Sequence, residues 1–137
     1  MTSISIVLAV GALLLFGGWA VAAGVATRSL TPVNAVLLSY VASLGIVGSY
    51  VLATRRPIVG SRVDVVFALL SGAFLAVGTI SFYAGLTHGN MAIVSAIAAL
   101  YFVIPAIVGV LYFDAALTPT NVVGLLLAVI AVVLVAS

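Results

Sequence analysis

A chain of 137 residues that is 66% hydrophobic and 4% charged, with a mean hydropathy of +1.55, cannot cover a water-facing surface, because a soluble domain carries about 25% charged residues. Its net charge of +2 rests on four Arg and no Lys, which gives no basic patch for nucleic acid. With no Cys there is no disulfide framework, thiolate nucleophile or zinc–thiolate site, and no metal or cofactor is expected.

The apolar runs predict an all-α integral membrane protein, a single domain over residues 1–137 with helices at 4–27, 33–53, 63–87, 91–113 and 120–136. Each is near the roughly 20 residues that cross about 30 Å of hydrocarbon. Strands of a membrane barrel would be shorter and would alternate polar with apolar residues. In the first run Ala20-Val21-Ala22 imitates a signal-peptide cleavage site, but Met1-Thr2-Ser3 has no basic residue and the apolar stretch is too long, so it is read as a helix. Trp19 lies within it, away from an interfacial belt, and its N–H wants a partner; core packing and cavity lining are both open.

Thr31-Pro32 places a hydroxyl cap before a proline at the first position of the second helix, which carries Ser39, Ser43 and Tyr50 along one side. The link at 54–62 holds Arg55, Arg56, Pro57, Gly60 and Arg62. "SRVD", Ser61 to Asp64, reads as a capping box, which makes Asp64 structural. Gly72, Ala76, Thr79 and Tyr83 form a stripe on the third helix, and "HGN" (88–90) offers Gly89 to end it and Asn90 to cap the next. His88 falls in that loop and is not expected to relay protons.

On the fourth helix Tyr101 and Pro105 stand four apart. Pro105 removes a mid-helix hydrogen bond and frees a carbonyl, so it is a candidate hinge, or a kink that merely fits the bundle. Asp114 follows, at a helix C-terminus that disfavours anions. It is expected to be structural, its carboxylate tying the turn to N–H groups near Thr120 and Asn121; a coupling-ion or partner-Arg contact is the alternative. Thr118-Pro119 opens the fifth helix, whose Asn121, Gly124, Ala128 and Ala131 suggest plain packing.

Five crossings put Arg55, Arg56 and Arg62 on the N-terminal side and Arg28 opposite. The positive-inside rule then favours a cytoplasmic N-terminus in a cell (inner or plasma) membrane. A bias of three Arg to one is small, and insertion in both orientations is compatible with it. No Asp, Glu, Lys, Arg or His lies in the middle of a helix, although proton-driven carriers place such groups there at a cost of about 2.5–3.5 kcal/mol. No nucleophile–base pair is available within the membrane, so an enzyme is not expected. Aromatic and small polar groups are left to bind a solute. Trp19, Ser43, Thr79, Tyr83 and Tyr101 form the candidate set, with close helix packing as the competing role.

From Phe82 onward the sequence resembles the end of an EamA repeat, the module of the drug/metabolite transporter superfamily. The match comprises the aromatic start Phe82-Tyr83, mid-helix Pro105, an acid (Asp114, Glu in most members), Leu117-Thr118 and Gly124; "GGW" (17–19) is similar to the first-helix cluster. The resemblance implies one half of a ten-helix inverted-repeat transporter and the single-repeat, five-helix branch. By that likeness two copies, one inverted, would form an antiparallel homodimer that moves small organic solutes or metabolites by alternating access, as a facilitator or exchanger. The small multidrug exporters of the superfamily carry a first-helix Glu. "AVGALLLFGGWAVAAG" has none, which argues against proton-coupled export of that kind; it is kept as an alternative, as is a non-transporting membrane assembly subunit.

Overall fold

A computed structural model describes residues 3–55, 57 and 59–137; among these the chain is helical, without strands. Arg56 of the basic link, with Met1 and Thr2, lies outside the described residues. The helices are α1 (Ser3–Ala26), α2 (Pro32–Thr54), α3 (Arg62–His88), α4 (Met91–Ala99), α5 (Val103–Tyr112) and α6 (Pro119–Ala136), with a 3₁₀ turn Leu100–Phe102 between α4 and α5. Counting Met91–Tyr112 as one crossing, five helices among the described residues are long and apolar enough to span a membrane. The expected spans agree with these to one or two residues, apart from the break in the fourth.

The caps explain where the helices start. Thr31 Oγ1 accepts from the Asn34 N–H at 3.4 Å and Thr118 Oγ1 from that of Asn121 at 3.3 Å, each with proline at the first turn. Asn90 Oδ1 accepts from the Ala92 N–H at 2.8 Å. Ser61 and Asp64 close a reciprocal box. The Asp64 N–H donates to Ser61 Oγ at 3.2 Å, and the Ser61 N–H and hydroxyl both donate to Asp64 Oδ2 at 2.8 Å.

The stops depart from expectation. Among the described residues no glycine takes a positive φ, so Gly89 does not act as a left-handed cap. Two non-glycine residues do: Arg55 (φ 47°), which ends α2, and Asp114 (φ 49°), which follows α5. At Asp114 the left-handed backbone turns the chain so that the Ala115 N–H donates to the Gly109 carbonyl at 3.0 Å, which also receives the Phe113 N–H at 3.1 Å. The expected carboxylate clasp has a different form in the structure. The Asn121 N–H is already held by Thr118, and among the described residues the Asp114 carboxylate makes no hydrogen bond or ion pair. The turn is closed by Asp114's backbone.

The chain divides into two compact units, residues 1–88 and 89–137. In the first, α3 packs against α2 and α1 around Ala23, Ala35, Val36 and Tyr83. In the second, α4 packs on α6. There the half-buried face of α6 is Leu125, Ala128, Val129 and Val132, while Asn121, Gly124 and Ala131 stay exposed. Branched side chains occupy most of that half-buried face, in place of most of the expected small-residue stripe. The large apolar side chains left exposed along every span are what a lipid-facing surface requires.

If the backbone of Asp114 is what ends the helix, Asp114→Gly should leave thermal stability in detergent nearly unchanged. Asp114→Val, which resists the left-handed region, should cost about 1–2 kcal/mol. A large loss in the Gly variant would return the role to the carboxylate.

Candidate functional site

The first unit gathers most of the chemistry that the sequence offers. Tyr83 is 1% exposed and Thr79 5%, one turn apart on the α3 face that meets α2. Each finds a hydroxyl partner across the seam. Tyr83 Oη lies 3.0 Å from Ser39 Oγ, and the Tyr40 hydroxyl donates to Thr79 Oγ1 at 3.0 Å. Thr79 in turn donates to the Leu75 carbonyl at 2.6 Å. Buried hydroxyls in an apolar bundle need such partners, because an unsatisfied group costs about 1–3 kcal/mol.

Around Tyr83 stands a trio of rings. Trp19 of α1 stacks on Phe82 at 5.1 Å between centroids and 22° between planes, and meets Tyr83 at 5.8 Å; Phe82 and Tyr83 are edge to face at 6.3 Å. Trp19 is 39% exposed. Among the described residues its indole N–H has no hydrogen-bond partner. One ring of the cluster is therefore accessible, and the buried tyrosine fixes where it stands.

The structure thus brings Trp19, Thr79 and Tyr83 of the candidate set together, with different exposures. Thr79 and Tyr83 have their hydroxyls committed inside the seam, whereas Trp19 presents surface. Ser43 is exposed, one turn beyond Ser39, and spends its proton on the Ser39 carbonyl at 2.9 Å. Tyr101 belongs to the second unit, where it is 63% exposed within the 3₁₀ turn. That turn ends three residues before Pro105, whose missing N–H leaves the Tyr101 carbonyl without its usual α-helical donor. Sequence reasoning missed Tyr40, because nothing in the chain links position 40 to position 79. It also missed Ser95, whose Oγ is buried without a partner in the second unit. An apolar hollow of about 370 Å³ lies between α5 and α6, lined by residues such as Val103, Ile107, Leu117, Leu125 and Val129; with no polar group, it cannot orient a polar solute. No group of three or more His, Cys, Asp or Glu among the described residues could hold a metal.

Two substitutions separate the packing of Tyr83 from its hydroxyl. Tyr83→Ala should cost about 3–5 kcal/mol of stability, the usual range for emptying a buried aromatic site. Tyr83→Phe should cost only about 1 kcal/mol, one net hydrogen bond. Thermal unfolding in detergent checks both, and a Phe variant as unstable as the Ala variant would show that the ring contributes little.

The comparisons with known proteins agree with this architecture. No match was found among curated proteins or among solved structures. A family model described as the EamA-like transporter family matches residues 3–137, a stretch that contains all five candidate spans. The chain is a multi-pass membrane protein and belongs to the EamA-like transporter family of the drug/metabolite transporter superfamily.

Proposed function

We propose that the protein carries a small organic solute across the membrane by alternating access, as a facilitator or exchanger, with the ring platform at Trp19 in contact with the solute. The observation that carries this reading is an accessible indole stacked on Phe82 and braced by a buried Tyr83, in a family of transporters. Every Arg, Asp and His of the sequence falls at a helix end or in a link. A pathway lined without mid-span charge suits neutral, zwitterionic or aromatic solutes, and it favours facilitated diffusion or exchange over tight proton coupling. Thr79 and Tyr83 act here as the frame that holds Trp19, and Ser43 and Tyr101 remain candidates for the pathway wall. Pro105 and the 3₁₀ turn before it supply a pivot in the fourth span.

The odd number of crossings and the single matched repeat support a homodimer of inverted copies, the arrangement that would rebuild an inverted-repeat carrier. The three-to-one Arg bias is small enough for both orientations to insert.

Purified protein alone in liposomes should exchange labelled solute in a counterflow assay against neutral, zwitterionic and aromatic metabolites. Trp19→Ala should lose that exchange while melting near the wild-type temperature. Absence of flux for the whole panel would favour a non-transporting assembly subunit.

Orientation gives an independent check. Two Lys added after Ser137 should favour molecules with the C-terminus inside. That variant alone should transport poorly and recover when co-expressed with an oppositely biased one. A single C-terminal cysteine labelled from outside in every molecule of a transporting sample would remove the antiparallel dimer.

A further inference from the structure

Within hydrocarbon a hydroxyl has no water to bond, so each proton must be spent on the protein or on something the protein binds. Most side-chain hydroxyls of the spans spend theirs on their own helix: Ser43 on the Ser39 carbonyl, Ser71 on Ala68, Ser81 on Val77 and Thr87 on Ala84. Ser39 does not. Among the described residues its hydroxyl has one hydrogen bond, with Tyr83, a pair in which either oxygen can donate.

Proton accounting decides the direction. Tyr83 is 1% exposed, and among the described residues Ser39 is the only hydrogen-bond partner of its hydroxyl. If Ser39 donated, the Tyr83 proton would be buried with no acceptor, at a cost of about 1–3 kcal/mol. Tyr83 therefore donates and Ser39 Oγ accepts. The Ser39 proton is then unspent on a half-buried residue, whereas in the neighbouring Tyr40–Thr79 pair both protons are used. A second donor, the Trp19 N–H, is without a partner among the described residues and belongs to a ring packed against the ring of Tyr83.

We infer that Ser39 is a solute-binding residue whose hydroxyl donates to an uncharged or anionic acceptor, a carbonyl or carboxylate, on a solute whose planar ring lies against Trp19. This rests on the ring platform proposed above and narrows the solute class. Two donors beside an aromatic face select an acceptor-bearing aromatic compound and do not favour an ammonium group at that position. Tyr83 is the positioning residue: its bond orients the Ser39 oxygen so that the proton points away from the seam.

The test uses the full chain in detergent micelles and the emission of Trp19, the sole tryptophan. Acetophenone and α-methylstyrene are near-isosteres that differ in C=O against C=CH₂. Each is titrated against the wild type, against Ser39→Ala/Tyr83→Phe and against Ser71→Ala. The double variant is used because Ser39→Ala alone strands the Tyr83 proton, whereas removing both partners leaves nothing unsatisfied. Dividing the two affinities within each protein, then comparing proteins, cancels the difference in partitioning into micelles. The wild type should favour acetophenone about threefold to tenfold more than the double variant does, the worth of one net hydrogen bond. Ser71→Ala, whose proton is already spent on Ala68, should match the wild type. If the preference is the same in the wild type and the double variant, Ser39 donates to no solute and the inference falls, while the ring platform stands. If neither compound changes Trp19 emission at saturation in micelles, the platform falls and takes the inference with it.

Discussion

The structure of the first unit depends on a constraint set by its solvent: a polar proton inside hydrocarbon must be accepted by the protein or by something it binds. Helices satisfy their own amides, but side-chain hydroxyls need further arrangements. Back-bonding to a carbonyl three or four residues earlier is the local solution, and Ser43, Ser71 and Ser81 take it. Tyr40 and Tyr83 cannot reach their own backbone in this way, so each hydroxyl must cross to another helix. Their partners, Thr79 and Ser39, lie on opposite sides of the α2–α3 seam, and this reciprocity fixes the register of the two helices. Undirected apolar contact between small side chains such as Ala35 and Val36 and their neighbours in the core would tolerate a slide of α2 far better than two directed bonds do.

The seam in turn holds the accessible ring. Trp19 comes from α1, and the contacts that fix its plane are with two consecutive residues of α3, Phe82 and Tyr83. Consecutive residues of a helix point about 100° apart, so a ring that touches both must lie across their shared edge. The stacked contact with Phe82 covers one face of the indole, and the rest carries the exposure. The same residues that make a tight core thus leave one aromatic group available. Burial in the core and exposure of a ring face are divided between neighbours in space.

Much of this was legible in the sequence, and the reason is the strength of the signals. Twenty apolar residues between polar links can do little else in a membrane protein than cross, and Thr-Pro or Ser-x-x-Asp at the start of such a run has a direct hydrogen-bonding consequence. The caps at Thr31, Ser61, Asn90 and Thr118 were therefore readable. Helix ends were less so. Asp114 drew attention for its charge, whereas its structural use is a left-handed φ, which Asp enters more readily than most residues but which no neighbouring residue announces. Pairings between residues forty apart, such as Tyr40 with Thr79, leave no trace in local pattern. The packing face of α6 was misread for a related reason. Small residues permit close approach, but Leu125, Val129 and Val132 share its half-buried face with Ala128, while Asn121, Gly124 and Ala131 stay exposed.

The fourth span shows how a local defect can become a mechanical property. Pro105 cannot donate to the Tyr101 carbonyl, and its ring crowds that oxygen, so the helix tightens into a 3₁₀ turn over Leu100–Phe102 before resuming as α5. The two halves then differ in what restrains them. α4 packs on α6, whereas α5 faces α6 across an apolar hollow of about 370 Å³. Packed interiors resist motion because every displacement opens a void or closes a contact. A hollow removes the second of these penalties on one side of α5, and lipid or a partner's side chains can fill whatever opens on the other. A bend at the 3₁₀ turn would therefore move α5 more readily than α4. Such a difference in restraint is what the pivot proposed for the fourth span requires. In Tyr101 the turn also carries the one aromatic residue of the candidate set that lies in this unit, so any change in the bend would move that ring as well.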